Sequence, residues 1–583
     1  MTDLVFTAIT FSPVTEFIEK TRKLRDLYGS SFILSYLAES VCREAQQHLG
    51  ADAVVSPALL NVTMGTPDQI VITGNFPEEA AKKAFLTAWG TIMDACREWI
   101  CHSCRDWIDT SYEQWVANGE WQGKASRTLP WNRDWQQWKN YAWELFWVQG
   151  STIPDVLEAL ANQERNRNWV GINWAGESST LSGADAIAWP GLGLNIPAKQ
   201  WRMAEADVQI RGFLQVLNLK IGEAILDDDL SNYPKNKVPH RLSTLATRYN
   251  IDQISYPDHQ SLRDKLAESL GEAIITNREQ LSIPELTKRL FTLTAVAQTV
   301  PDSEQLLKEL PDSFKDVNLW TTDQPMGWFR GDGDQAGQYI RSITQAEDAA
   351  EQLNHFSHQM REWGQSLKQN FDQRLGRIIF AGGDDFLGLF YPAKQPTDAL
   401  DWLCKFKPEV WHKGRDGKPD PKPITPSIGF VWAAPQVPQR DVLQHCDLAE
   451  RNAKDGGRDR VALRVLFNSG NFLEWVCPWH FLPVLQDYRD LTGGQNWTHL
   501  YNDVAVLEAR HAFAGDQIDV ALALFEIYFG QPNRDTLENH LWDKGKRTGI
   551  LGNRKEDCQN IPQALNHWII NLAKVGFHLC SNT

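Results

Sequence analysis

The chain has 583 residues, 42% of them hydrophobic and 23% charged, with a formal net charge of −16. That length exceeds what one hydrophobic core usually supports and predicts three or four domains, with the composition of a globular rather than a disordered protein. The acidic balance excludes a protein that grips nucleic acid over its whole surface, because phosphate neutralisation needs clustered Lys and Arg. No uninterrupted apolar run reaches membrane-span length and no signal peptide opens the chain, so a cytoplasmic protein without membrane attachment is expected.

An apolar strand is expected at 4–11. Ser12 and Pro13 suit an N-cap and a first turn, and the helix they start would place Val14, Phe17, Ile18, Thr21 and Leu24 on one face. A hairpin is expected over 61–74, and it carries no paired aspartates. Many of the 25 tryptophans fall between positions 89 and 147. They read as packing and interface residues in preference to stacking platforms for single strands. Nine cysteines without regular spacing fit a reducing compartment. The close pair Cys101 and Cys104, preceded by Cys96, is only half of a zinc site and reads as buried thiols on a helix. A polar stretch at 227–239 is expected to be a surface loop.

The segment 377–391, RIIFAGGDDFLGLFY, sets two glycines and two aspartates between apolar runs. A β-hairpin presents paired carboxylates at its tip in this way, with Gly382 and Gly383 expected at positive φ. Asp384 and Asp385 are then available to hard cations, although glycine and aspartate also serve ordinary turns. Upstream, GDGDQAG at 331–337 follows the apolar stretch 326–329 and puts Asp332 and Asp334 at a strand end. Adjacent strands would bring these carboxylates together, as metal-assisted phosphoryl transfer requires. The surrounding pattern reads βααββαβ, a ferredoxin-like palm of the α+β class. It includes a short helix at 398–406, a solvated polar loop at 412–426 and a strand at 427–433. Val442, Cys446, Ala449 and Ala453 mark a helix at 439–453, followed by a final strand at 460–467. Beyond it, the runs 504–513 and 518–529 suggest a helical bundle. Lys454 follows the expected helix end, where its ammonium either meets a triphosphate or is solvated and favoured by the helix C-terminus. Ser427 lies near a base or ribose or is structural, and Gly429 permits close packing.

These segments resemble the large polymerase-cyclase subunit of type III CRISPR effector complexes, Cmr branch. The resemblance rests on DGDQAG at 332–337, AGGDDFLGLF at 381–390, SIG at 427–429 and AERNAKDGGRDRVAL at 449–463. FSPVTEFIEKTRKLRDLYGSSFILSYL at 11–37 and ELTKRLF at 285–291 add family signatures in the expected order. It implies two ferredoxin-like palms and two helical domains: a non-catalytic first palm at 1–175, a helical domain at 176–318, the GGDD palm at 319–480 and a helical domain at 481–583.

The implied activity is nucleotidyl transfer, the target-RNA-activated condensation of ATP into cyclic oligoadenylate. Mg²⁺ or Mn²⁺ would be held by Asp332, Asp384 and Asp385, with Asp334 either a further ligand or a stabiliser of the turn. Gly382, Gly383, Ser427 and Lys454 would contact the nucleotide. Implied partners are the other effector subunits, the guide RNA and the target RNA, and the acidic charge suits a subunit seated at one end of a ribonucleoprotein. Relatives often carry a cysteine-bound zinc mid-chain, whereas 176–183 here reads GESSTLSG, so no zinc is expected. Many also carry a histidine-aspartate DNase before the first palm. None of the 14 histidines precedes an aspartate and the first palm begins near Met1, so that nuclease is not expected. Two other readings stand beside this one. One is a non-enzymatic scaffold with a vestigial palm. The other is a diguanylate-cyclase-like enzyme, disfavoured because that pattern has glutamate where this chain has Asp385 and because its domain is much smaller.

Overall fold

β1 (Phe6–Ser12) is buried at every position, as expected of a strand paired along both edges. The computed structural model describes residues 5–581 apart from 22, 123–127, 168–171, 173, 175, 195–202, 232–274, 276–278, 314–323, 394, 415–416, 514–517, 542–548 and 553–559. The chain forms two units, Met1–Thr321 and Thr322–Thr583.

In the first unit β1 pairs antiparallel with β3 (Ile70–Thr73) and β4 (Glu144–Gly150), and β2 (Val54–Ser56) pairs with β3, giving the order β2-β3-β1-β4. The helix Leu24–Leu49 connects β1 to β2, and Glu78–Ser103 lies between β3 and β4. That order with helical crossovers is ferredoxin-like. The loop between β2 and β3 is longer than a hairpin turn and contains a short helical turn, Val62–Met64, capped by Asn61.

The N-terminal helix departs from expectation. Ser12 closes β1 and its hydroxyl accepts from Arg167, while Pro13 occupies the N-cap without a side-chain bond. The helix stops at Glu19, so Thr21 and Leu24 do not continue its face. The stop has a local cause. The Lys288 ammonium bonds the carbonyl of Phe17 and, at 2.9 Å, that of Lys20, so Phe17 O is held by a side chain while the Thr21 N–H turns to Glu19 O at 2.8 Å.

Lys288 comes from the helix Ile283–Phe291, whose capping box joins Ser282 to Glu285. A Cβ on Gly29 would come within 2.2 Å of the Lys288 carbonyl, so glycine lets the helices Leu24–Leu49 and Ile283–Phe291 touch backbone to backbone. Arg289 then reaches Asp26 with two bonds of 2.5 and 2.8 Å, both side chains fully buried. The family-like segments 11–37 and 285–291 are thus one packed unit. Trp89, Trp115, Trp131 and Trp135 are also buried, Trp131 meeting Trp135 edge-on at 5.6 Å. Cys101 lies in the helix Glu78–Ser103, Cys104 is its C-cap, and both are free thiols. The polar stretch at 227–239 is in part helical, because the helix Met203–Ser231 runs through its first residues; the remainder lies outside the described residues.

The second unit holds a six-stranded sheet of order β10-β9-β8-β5-β7-β6. Its strands are β5 (Met326–Gly333), β6 (Gly376–Ala381), β7 (Phe386–Phe390), β8 (Pro426–Ala433), β9 (Arg460–Leu466) and β10 (Phe472–Pro478). Helices Ala336–Ile343 and Ala349–Asn370 join β5 to β6, and Thr397–Lys405 precedes β8. The βααββαβ pattern is therefore present, with β6-β7-β5-β8 repeating the ferredoxin-like order. Helix Gln439–Asp455 carries the chain into β9, parallel to β8.

β9 is not the last strand, since β10 pairs antiparallel with it. β10 escapes a periodicity reading because Phe472 at its start is exposed while Trp475 and Cys477 are buried beneath the helix Ile561–Cys580, where Trp568 Nε1 donates to the Val476 carbonyl at 2.9 Å. The polar loop at 412–426 is solvated only in part. Lys422 and Ile424 are buried, and Trp411 Nε1 fastens the Ile424 carbonyl at 3.0 Å. Helices Thr498–Ala509 and Asp519–Phe529 overlap the two expected C-terminal runs. No helix among the described residues is long and apolar enough to cross a membrane.

Candidate active site

β5 reads MGWFRGDG, and strand alternation puts Arg330 and Asp332 on one face, both partly exposed. Its last residue, Gly333, donates its N–H to the Asp384 carbonyl at 3.1 Å, which stitches the strand end to the GGDD turn. Register supports the same join, Gly331 lying opposite Phe386. Within the turn Gly382 N bonds Asp385 O at 3.1 Å, and Arg361 Nη1 donates to Gly382 O at 2.8 Å. Neither Gly382 nor Gly383 takes the expected positive φ. A two-residue hairpin loop would demand it, whereas the four residues between β6 and β7 reverse the chain without it.

The aspartates of the turn sit in a strongly negative setting. Burial, then repulsion from Asp332 and Asp385, pushes the Asp384 carboxyl up to about 7. Burial likewise raises Asp385, to about 6, with Arg330 opposing the rise. Arg330 Nε lies 3.7 Å from Asp385 Oδ1, and its Nη1 is 3.3 Å from Asp447 Oδ1. Lys454 bonds Asp332 Oδ2 and forms an ion pair with Glu450, Nζ to Oε1 at 2.7 Å. Burial disfavours the Lys454 charge, but these two carboxylates outweigh it and hold the ammonium well above the usual lysine range.

Lys454 lies in the last turn of the helix Gln439–Asp455 rather than beyond its end. Asp447, Glu450, Arg451 and Lys454 recur at helical spacing and share one face. Gly429 lets this helix press against β8, since a Cβ there would meet Glu450 N at 2.4 Å and Cys446 O at 2.5 Å. Sequence reasoning passed over Arg330, Asp447 and Glu450. The i, i+3, i+4 run of opposite charges in the helix was the signal that could have found the latter two.

Two matches bear on this geometry. Residues 6–94 match the family described as CRISPR-associated protein Cmr2, N-terminal, and residues 325–462 match Cas10/Cmr2, second palm domain. The chain thus carries the N-terminal and second palm domains of Cas10/Cmr2, the large subunit of type III CRISPR complexes. Among solved structures, the apo state of the type III-B Cmr-beta assembly contains a chain 10% identical, with TM-score 0.47, over 97% of this chain and 81% of that one. A Csm1–Csm4 cassette in complex with AMPPNP is 12% identical, with TM-score 0.41, over 99% and 69%. The Csm1–Csm4 cassette in complex with cA4 is 11% identical, with TM-score 0.39, over 99% and 70%. No curated protein matches in sequence.

Within this Cas10/Cmr2 palm, Asp332, Asp384 and Lys454 form one cluster and Arg330 ties Asp385 to it. Asp334 and Ser427 face elsewhere. Asp334 is buried, its Oδ1 accepting from Ser427 Oγ at 2.7 Å and its Oδ2 from Thr425 Oγ1 at 2.7 Å and Asp459 N at 2.8 Å. Among the described residues no three His, Cys, Asp or Glu side chains already surround a single point, and Lys454 and Arg330 lie among the carboxylates. The donor set still suits a hard cation. Asp332, Asp384 and Asp385 offer only oxygens, and Asp385 Oδ1 is shielded from solvent without a hydrogen-bond donor. Acidic groups here also outnumber the basic groups that face them.

Proposed function

We propose that this Cas10/Cmr2 chain is the nucleotidyltransferase of an RNA-guided type III complex, converting ATP into cyclic oligoadenylate when target RNA is bound. The observation that carries the reading is the meeting of Asp332, at the end of β5, with the Asp384–Asp385 turn beside the Lys454 ammonium. The 3′-hydroxyl of one ATP attacks the α-phosphate of another, a new P–O bond forms, pyrophosphate leaves and the hydroxyl proton passes to water. Asp332, Asp384 and Asp385 would hold Mg²⁺ or Mn²⁺, which when bound neutralises phosphate charge and acidifies the hydroxyl.

The turn presents Gly382 and Gly383 without side chains, leaving the nucleotide room over the backbone. Lys454 lies where it could exchange a carboxylate for phosphate. Ser427 and Asp334 support the strand ends from below. The adenylate identity and the cyclic product rest on the family resemblance, as do the partners: other effector subunits, guide RNA and target RNA in the cytoplasm. The net charge of −16 fits an arrangement in which other subunits hold most of the RNA.

The test is to incubate the assembled complex with target RNA, ATP and Mg²⁺ and identify products by mass spectrometry. Asp384→Ala combined with Asp385→Ala should abolish oligoadenylate while preserving assembly and target binding. Product at the normal rate from that variant overturns the assignment, and no product from the unsubstituted complex favours a scaffold with a vestigial palm.

A further inference from the structure

Lys454 is shared between two carboxylates of different kinds. Asp332 lies on β5 and is 30% exposed as a side chain, whereas Glu450 sits one helical turn before Lys454 and its side chain is 6% exposed. The backbones of Glu450 and Lys454 are fixed relative to each other, because both belong to the helix Gln439–Asp455 and that helix is pressed onto β8 at Gly429. Asp332 belongs to the acidic cluster that any entering cation must engage. A cation taken up there competes with Lys454 for Asp332 Oδ2.

We infer that Glu450 is a positioning residue that retains the Lys454 ammonium at the mouth of the site when Asp332 gives it up, so that Lys454 is already placed for an incoming polyphosphate. Glu450 is not a ligand of the nucleotide. Its buried carboxylate acts through Lys454, and an uncharged isostere leaves Asp332 as the one ionic partner of the ammonium in this pair. With that single anchor, cation entry and ammonium retention oppose each other. The inference rests on the nucleotide-transfer reading of the palm.

A double-mutant cycle on the full chain separates the two claims. The probe is ATP with an α,β-methylene linkage together with Mn²⁺, its affinity measured by calorimetry and Mn²⁺ uptake by electron paramagnetic resonance. Glu450→Gln should weaken nucleotide binding about tenfold, the size expected for misplacing one charge-assisted phosphate contact. In a Lys454→Met background the same Glu450→Gln change should alter affinity less than about twofold, since the partner through which it acts is gone. Glu450→Asp, which keeps the charge on a shorter stem, should restore part of the loss. An equal loss from Glu450→Gln with and without Lys454 overturns the inference, as does no loss in the otherwise unsubstituted chain. Absence of nucleotide binding by the unsubstituted chain overturns the transfer reading and this inference with it.

Discussion

Ser427 Oγ donates to Asp334 Oδ1 at 2.7 Å, so two residues at the head of the palm sheet hold each other below the site rather than facing a ligand. The pair lies at the join of three segments. Asp334 N bonds Thr425 O at 2.6 Å, and Asp334 Oδ2 accepts from Asp459 N in a left-handed turn where Arg458 and Asp459 have φ of 65° and 53°. A carboxylate with three donors on its two oxygens is a fastening.

Asp334→Ala should therefore damage stability first. It strands two hydroxyls and one N–H, and each buried unsatisfied group costs about 1 to 3 kcal/mol. A loss of about 3 kcal/mol in urea unfolding is expected, against about 1 kcal/mol for Ser427→Ala. Unchanged stability with abolished Mn²⁺ binding would instead make Asp334 a ligand.

Asp332→Ala should reproduce the double substitution of Asp384 and Asp385, with no oligoadenylate detected by mass spectrometry and target-RNA binding preserved. The side chain is partly exposed and only its contact with Lys454 is lost, so the fold should persist. Normal product formation would remove Asp332 from the site.

Lys454→Ala should raise the KM for ATP about tenfold, the equivalent of about 1.4 kcal/mol, with a smaller effect on kcat than loss of Asp332. Steady-state kinetics at subsaturating ATP read this directly. Unchanged kinetics would mean that the ammonium merely balances Asp332 and Glu450.

In the first unit, burial lowers Lys288 from 10.5 to about 8, against the pull of Glu285 and Asp26. Between those two values the unfolded chain carries the proton and the folded chain does not, so stability rises with pH across that window. As pH falls to 8 the contribution disappears. The full span corresponds to about 3 kcal/mol. Urea unfolding at pH 7.5, 8.5 and 9.5 should show a rise in the unsubstituted chain that Lys288→Met lacks. Parallel pH profiles would contradict it.

Arg289→Met should destabilise the first unit by about 3 to 5 kcal/mol, because it leaves the buried Asp26 carboxylate without its bidentate partner. Introducing Asp26→Leu as well should recover part of that loss. A thermal melt within 2 °C of the unsubstituted chain would show that the pair contributes little.

Five of the six strands of the second palm's sheet, β5 to β9, its GGDD turn and the position of Asp332 were legible from the sequence because each depends on local information: apolar alternation, turn chemistry and acidic residues at a strand end. What Asp334 does was not legible. It stands two residues after Asp332, and alternation alone would place both side chains on one face. β5 ends at Gly333, however, and beyond that point the chain turns so that Asp334 reaches Thr425, Ser427 and Asp459, all distant in sequence. Arg330 and Glu450 enter the site for the same kind of reason. Arg330 meets Asp385 of the β6–β7 turn and Asp447 of the helix Gln439–Asp455, Glu450 reaches Asp332 only through the Lys454 ammonium they share, and the packing of that helix onto β8 is what brings its charges within reach of β5. Sequence by itself determined which residues could carry the chemistry; tertiary structure decided which of them share a space, because long-range electrostatic partners are chosen by packing rather than by spacing along the chain.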